Sequence, residues 1–303
     1  MEFETVTDEL WFPEGPIAMP DGSVLLVEIG GGRLTRVLPD GTKQTVAETG
    51  GGPNGAAIGP DGKVYICNNG GMACRRENGL FMPAGHPENP ISGRIQRVDI
   101  DSGSIETLYK DGDFGCRLSA PNDIVFDGAG GFWFTDLGAT EKRSRTRSGV
   151  FYAKTDGTAL TEVIFPMDSP NGIGLSPDGR TVYVAETFPG NLWAFPLSAP
   201  GTLATGVSSG DPARFLFRHN RYTMFDSLAV EANGNVCVAT IVDGGITVVS
   251  PDGELVDFVA NDDSYTTNIC FGGTDMQTAW ITSSSKGLLL KARWPRPGLK
   301  LAY

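Results

Sequence analysis

Asn171-Gly-Ile-Gly-Leu-Ser-Pro-Asp-Gly179 reads as one short apolar strand, opened by an amide side chain and closed by a turn. Pro presets φ for such a turn, and Gly tolerates the positive φ that completes it. Similar phrases stand at Glu14-Gly-Pro-Ile-Ala-Met-Pro-Asp-Gly22 and Asn54-Gly-Ala-Ala-Ile-Gly-Pro-Asp-Gly62. Looser copies open at Asn122 (Asn-Asp-Ile-Val-Phe-Asp-Gly128), Asp226 (Asp-Ser-Leu-Ala-Val-Glu-Ala-Asn-Gly234) and Asn268 (Asn-Ile-Cys-Phe-Gly-Gly273). Repeats of roughly 40–50 residues, each holding several short strands, mark the blades of a β-propeller. Blades set equivalent positions around one axis, so six oxygen-bearing side chains converge on a central channel.

Working outward from Glu14, the first repeat shows the whole unit. Pro16–Met19, Ser23–Ile29, Arg33–Leu38 and Lys43–Ala47 are strand-like, separated by Pro20-Asp21-Gly22, Gly30-Gly31-Gly32 and Pro39-Asp40-Gly41. Four antiparallel strands joined by turns make one blade. Asp156-Gly157 and Pro251-Asp252-Gly253 mark the turn between third and fourth strands in later repeats. No long stretch has a 3.6-residue apolar period, so almost no helix is expected. The sixth repeat runs out after about three strands. The reading is therefore an all-β, six-bladed propeller of four-stranded antiparallel blades, one domain over residues 1–303. Phe3–Leu10 supplies the last outer strand beside Leu288–Ala292, closing the ring and hiding two edges. One departure stands out: Gly70–Ser92 is inserted after the second strand of the second repeat. Long loops of this kind are lids or excursions.

Composition narrows the function. Lys and Arg number 24 against 36 Asp and Glu, a net charge of −12, which argues against a nucleic-acid partner. No apolar run approaches ~20 residues, so no membrane span is expected, and no basic-then-apolar N-terminal stretch suggests a signal peptide. The five cysteines include no CxxC, and a reducing cytoplasm is the expected location. Nothing in the pattern reports the oligomeric state.

Glu14 and Asp226 are the acids of the ring, and Asn54, Asn122, Asn171 and Asn268 offer amide oxygens. This hard-oxygen set suits one divalent ion, Ca²⁺ first, with Zn²⁺, Mn²⁺, Mg²⁺ or Fe²⁺ as alternatives. Only His86 and His219 are present, too few for a His-rich zinc site. The antiparallel path places the ends of the second strands, at Glu28, Asn68, Asn69, Asp136, Glu186 and Thr240, on a rim at the same mouth. Arg117 is either a substrate-binding residue there or a solvated loop residue. Phe12, beside Trp11, walls the pocket or packs in the core. The inserted loop, which carries His86, lies at that mouth as a candidate substrate cover. No G-x-S-x-G or P-loop is present, and Gly30-Gly31-Gly32 and Gly50-Gly51-Gly52 read as tight turns.

Trp11-Phe-Pro-Glu14-Gly-Pro, Ala120-Pro-Asn122-Asp-Ile, Ser169-Pro-Asn171-Gly-Ile and Phe225-Asp226-Ser-Leu-Ala, in this order, resemble the motifs of the SMP-30/gluconolactonase/luciferin-regenerating-enzyme family. The related diisopropylfluorophosphatase type shares the same Glu, Asn, Asn, Asp set. The resemblance implies a propeller with one divalent metal in its channel. Glu14, Asn171 and Asp226 would be ligands, Asn122 a ligand or a holder of substrate or water, and Asp226 also the base. The implied activity is hydrolysis of a lactone by an activated water. A phosphotriesterase or other ester hydrolase on the same site, and a non-catalytic small-ligand propeller, are the rivals. Sugar lactonases of this type carry an Arg two residues before the third-blade Asn, where this chain has Ala120, so a gluconolactone contact is not expected unless Arg117 supplies it.

Overall fold

The structure, a computed structural model, describes residues 1–85, 87–211 and 214–303. Six antiparallel sheets follow one another around an axis. Their inner strands are Pro13–Ala18, Pro53–Ile58, Pro121–Phe126, Pro170–Leu175, Met224–Val230 and Thr266–Gly272. The second strands behind them are Val24–Glu28, Val64–Asn68, Gly131–Asp136, Thr181–Glu186, Val236–Ile241 and Thr278–Ser283. Asp113–Gly115 forms one short helical turn.

Burial explains why the strands read as they do. Second strands are sandwiched between neighbouring blades and are buried almost end to end, which requires near-continuous apolar sequence such as Val24-Leu-Leu-Val27. The outer strands Lys43–Glu48, Ile105–Lys110 and Leu255–Ala260 face solvent and share one sequence of exposures, with a single buried position near the end. Aromatic residues fill the gaps between blades. Tyr65 meets Phe126 and Phe132 edge-on between the second and third blades, at 5.0 and 5.6 Å between ring centres.

The ring closes as expected. Glu4–Thr7 pairs with Leu288–Arg293, in the register Glu4↔Lys291 and Thr5↔Leu290, and completes the sixth blade. In the fourth blade the outer position is shared by two short strands, Thr202–Leu203 and Phe215–Phe217, which both pair with Asn191–Ala199.

Two segments lie outside the blades. Cys74–Glu77 and Leu80–Pro83 form a hairpin within the inserted loop, turning at Asn78-Gly79 with φ of 52° and 83°. It folds back onto the first and sixth blades: Phe81 is 1% exposed and its N–H donates to Ser285 O at 2.7 Å. At the opposite end of the channel, residues 294–303 run beneath the inner strands. Leu299 N–H donates to Val230 O of the fifth blade, and Tyr303 packs edge-on against Phe126 of the third, 5.6 Å between centres. Trp294 Nε1 and Arg296 Nε fasten this segment to the Glu231 carboxylate at 2.7 and 2.6 Å.

Candidate active site

Each inner strand enters the channel through a bulge. Strand pairing slips by a residue between Glu14 and Ile17, Pro53 and Ala56, Pro121 and Ile124, Pro170 and Ile173, Phe225 and Leu228, and Thr266 and Asn268. Bulges re-aim side chains. Here they turn Glu14, Asn54, Asn122, Asn171 and Asp226 inward at matching heights. The register also corrects the sixth blade. Thr266 pairs with Ser283 as Pro13 pairs with Glu28, so Thr267 is the ring member and Asn268 lies one residue deeper. Asn268 serves its neighbour instead: its Nδ2 donates to Glu14 Oε2 at 2.9 Å.

The layer below the ring is Gly15, Gly55, Asp123, Gly172, Ser227 and Asn268. Glycine is needed where inner strands touch: a Cβ at Gly55 would sit 2.4 Å from Asn122 O, and one at Gly172 would sit 2.6 Å from Asp226 O. Asp123 replaces glycine in this layer. Its Oδ1 accepts Ile124 N–H at 2.9 Å and its Oδ2 accepts Ile173 N–H at 3.2 Å, tying the third blade to the fourth.

Electrostatics sets this centre apart. Burial pushes Glu14 up to about 7, against hydrogen bonds from Thr267, Asn268 and Gly15 that pull it down. Asp226 is half-buried by area yet deep in the channel, and its carboxyl is held well above the usual range by burial and then by the charge of Glu14. Burial likewise raises Asp123 to about 7, with Glu14 adding to the effect. Carboxylates from the first, third and fifth blades therefore feel one another across the channel. Asn122 Oδ1 and Asn171 Oδ1 are buried with no hydrogen-bond partner, while Asn171 Nδ2 donates to Thr187 Oγ1 at 3.0 Å. Buried polar atoms are nearly always paired, so two orphaned carbonyl oxygens beside mutually repelling acids call for an explanation. A cation bound by oxygen would satisfy both at once. Among the described residues no three His, Cys, Asp or Glu side chains gather closely enough to hold a metal by themselves. Any ion here must use the amide oxygens as well, and the donor set fits a hard cation.

The family model described as "SMP-30/Gluconolactonase/LRE-like region" matches residues 12–285. The chain belongs to this family. A gluconolactonase of Zymomonas mobilis is 24% identical over 304 residues, covering 93% of this chain and 78% of that protein. A lactonase drp35 of Staphylococcus saprophyticus is 28% identical over 266 residues, covering 84% and 74%. The solved structure of a calcium-binding protein, regucalcin, from Agrobacterium tumefaciens superimposes with a TM-score of 0.73 at 19% identity, covering 99% of this chain and 98% of that one. Its likeness is one of fold. The relatives support lactone hydrolysis at the level of the family.

Within this SMP-30/gluconolactonase-type propeller, the remaining candidate residues part company. Phe12 is 5% exposed and packs with Ile29, Phe81, Met72, Cys74 and Tyr265 under the hairpin, so it is core to the mouth's edge. The Arg117 side chain is 85% exposed and paired with Asp111 at 3.1 Å, the solvated reading. His86 lies outside the described residues. His219 is buried between Phe217 and Phe258 and bonded to Thr247 Oγ1 at 2.9 Å. All five cysteines are free thiols. Among the described residues no helix is long and apolar enough to cross a membrane.

The expected rim of second-strand ends is a set of internal fasteners. Glu28 Oε2 accepts Trp11 N–H at 2.8 Å, Asn68 Oδ1 accepts Gly52 N–H at 3.0 Å, Asp136 accepts Ser119 and Ala120 N–H at 2.7 and 2.9 Å, and Glu186 Oε1 accepts Asp168 N–H at 2.7 Å. Each grips the segment two or three residues ahead of a ring member. Asp123 is the site residue that the sequence reading passed over. Its signal was an acid standing where three other repeats carry Gly after the ring residue.

Proposed function

We propose that this protein opens a lactone ring by hydrolysis at the channel mouth, using a divalent cation held by Glu14, Asn171 and Asp226, with Asn122 beside it. The observation that carries the reading is the pair of orphaned oxygens, Asn122 Oδ1 and Asn171 Oδ1, set among carboxylates that raise one another's proton affinity. Ca²⁺ is the first choice for such donors, in keeping with the calcium-binding regucalcin of Agrobacterium tumefaciens that shares the fold. When bound, the cation would polarise the ester carbonyl and offset the negative charge that develops on its oxygen.

The chain's own residues do the rest. Asp226, in partial contact with the channel, takes a proton from the attacking water. The water oxygen bonds to the carbonyl carbon, the ring C–O bond breaks, and the proton returns to the departing alkoxide, leaving a hydroxy acid. Asn122 orients the substrate or the water. Asn268 and Gly15 fix Glu14 Oε2, holding the first-blade wall still. The substrate is less polar than an aldonolactone: Ala120 offers only its backbone, and that N–H is taken by Asp136.

A panel of sugar, aliphatic and aromatic lactones, with phosphotriesters as the rival class, tests the reading. Lactone hydrolysis that stops on adding EDTA and returns with Ca²⁺ is expected. Turnover indifferent to chelation, or confined to phosphotriesters, would overturn it.

A further inference from the structure

The residues two places ahead of the ring members do the same job in five blades. The carbonyls of Phe12, Gly52, Ala120, Ser169 and Tyr265 accept the N–H of Ile29, Asn69, Leu137, Thr187 and Ser284, at 3.1, 2.9, 2.9, 3.0 and 2.9 Å. Each bond joins the approach to an inner strand to the turn after the second strand of the same blade. Only Phe12 and Ser169 among these five have positive φ, and both have the same value, 57°. Neither is glycine. Each is followed by proline, which drives the residue before it towards extended backbone. The connection itself does not require the left-handed form, because Gly52, Ala120 and Tyr265 make it without.

We propose that Phe12 and Ser169 are positioning residues whose left-handed backbone sets the reach of Glu14 and Asn171 across the channel; the proposal rests on the ring being the cation site described above. The first and fourth blades face each other in a six-membered ring, so the matched pair acts on opposite walls. Both residues are held in place by their surroundings. Phe12 is 5% exposed, its N–H donates to Leu10 O at 3.1 Å and its ring meets Tyr265 edge-on at 5.8 Å. Ser169 is fully buried; its hydroxyl donates to Asp168 O and accepts Phe188 N–H at 3.1 Å. Sparsely populated conformations persist where the surroundings over-determine them, and they gather at functional sites. The inserted hairpin thereby gains a role: Phe81 and Cys74 belong to the apolar cluster that encloses Phe12. Relaxing either residue to extended φ rotates the start of its inner strand and withdraws the ligand that follows.

The test compares alanine with glycine at each position. Ser169→Ala and Ser169→Gly both lose the hydroxyl, and Phe12→Ala and Phe12→Gly both lose the ring, but only glycine keeps positive φ without penalty. Ca²⁺ affinity is measured by calorimetry on chelator-stripped protein, alongside Tm. The alanine variants should bind Ca²⁺ roughly tenfold or more weakly, as when an outer support of a metal ligand is removed. The glycine variants should stay within about threefold of the parent, even where Phe12→Gly lowers Tm. At Ala120, where φ is not positive, glycine should change nothing. Equal affinities for the alanine and glycine variants, whether retained or lost, would overturn the positioning role while leaving the site reading intact. Failure of the parent protein to bind either Ca²⁺ or Mn²⁺ would overturn both.

Discussion

Two sets of buried acids and amides alternate around this propeller, and they behave in opposite ways. The fasteners at the second-strand ends are saturated. Glu28 accepts hydrogen bonds from Trp11 N, Thr35 Oγ1 and two nitrogens of Arg33, all within 2.7–2.9 Å. Burial alone would raise its carboxyl, but the Arg33, Thr35 and Trp11 bonds outweigh that and hold it below the usual range. The ring members, one short turn away, are under-supplied: Asn122 and Asn171 have orphaned Oδ1 atoms, and the carboxyls of Glu14 and Asp226 repel each other, whereas burial also raises Asp136 although its oxygens are fully bonded. Both sets consist of the same residue types at repeat-periodic positions. Residue type therefore locates buried polarity, while hydrogen-bond saturation separates structure from chemistry.

That contrast breaks most sharply under substitution. Asp226→Asn preserves size and an oxygen ligand but removes the charge and the base. A loss of roughly 10²-fold or more in kcat is expected, with the Tm of chelated protein unchanged or raised because a buried like charge is gone. Near-parental turnover with metal bound would make Asp226 a ligand only. Glu28→Ala should do the reverse. It strands the Trp11 N–H and the Thr35 hydroxyl and costs about 1–3 kcal/mol of stability for groups left unpaired, measured as a shift in the denaturation midpoint. Turnover per folded molecule should fall far less than in Asp226→Asn, and an equal fall would merge the two sets.

Acid titration of the chelated protein sharpens the same point. Glu14 rises from 4.5 unfolded to about 7 folded, so the folded state holds more protons across that window. Stability of the chelated protein should accordingly decline as pH rises from about 5 to about 7.5. Saturating Ca²⁺ should flatten or reverse the trend, since the ion replaces the proton. A chelated Tm that climbs through this range would contradict the description of the ring. The smallest effect is expected at the hairpin's surface. Arg76 pairs with Glu9 through two bonds of 2.9 and 2.6 Å, but the two side chains are 50% and 56% exposed. Arg76→Ala should change stability by less than about 1 kcal/mol, as exposed pairs do; a larger loss would mean that the hairpin depends on it.

The propeller itself was legible because its turns and apolar runs repeat, and the edge-closing role of Phe3–Leu10 followed from counting strands. The inward-facing ring positions in five blades, Glu14, Asn54, Asn122, Asn171 and Asp226, were legible for the same reason. What escaped was set by single-residue geometry. A bulge adds one residue to a strand without a sequence mark, so the sixth blade was read from Asn268 when the register begins at Thr267. Strict alternation would turn Asp123 away from the side that Asn122 faces, and only the bulge lets both address the channel. The second-strand ends were placed on the correct side, but their saturation depends on backbone N–H groups that no side-chain pattern reveals. Arg117 was near enough in sequence to reach the mouth, yet the nearby Asp111 holds it in solvent.

The segment from Trp294 to Tyr303, latched at Glu231 and resting on Val230 and Phe126, crosses the far end of the channel from the fifth blade to the third. A strap across that end leaves the ring mouth as the open approach, so what arrives over the ring also departs over it. On the proposed lactone hydrolysis, the hydroxy acid released at the ring would occupy the path of the next lactone, and its inhibition should be competitive, with a carboxylate product slowing uptake in proportion to its own residence at the ring.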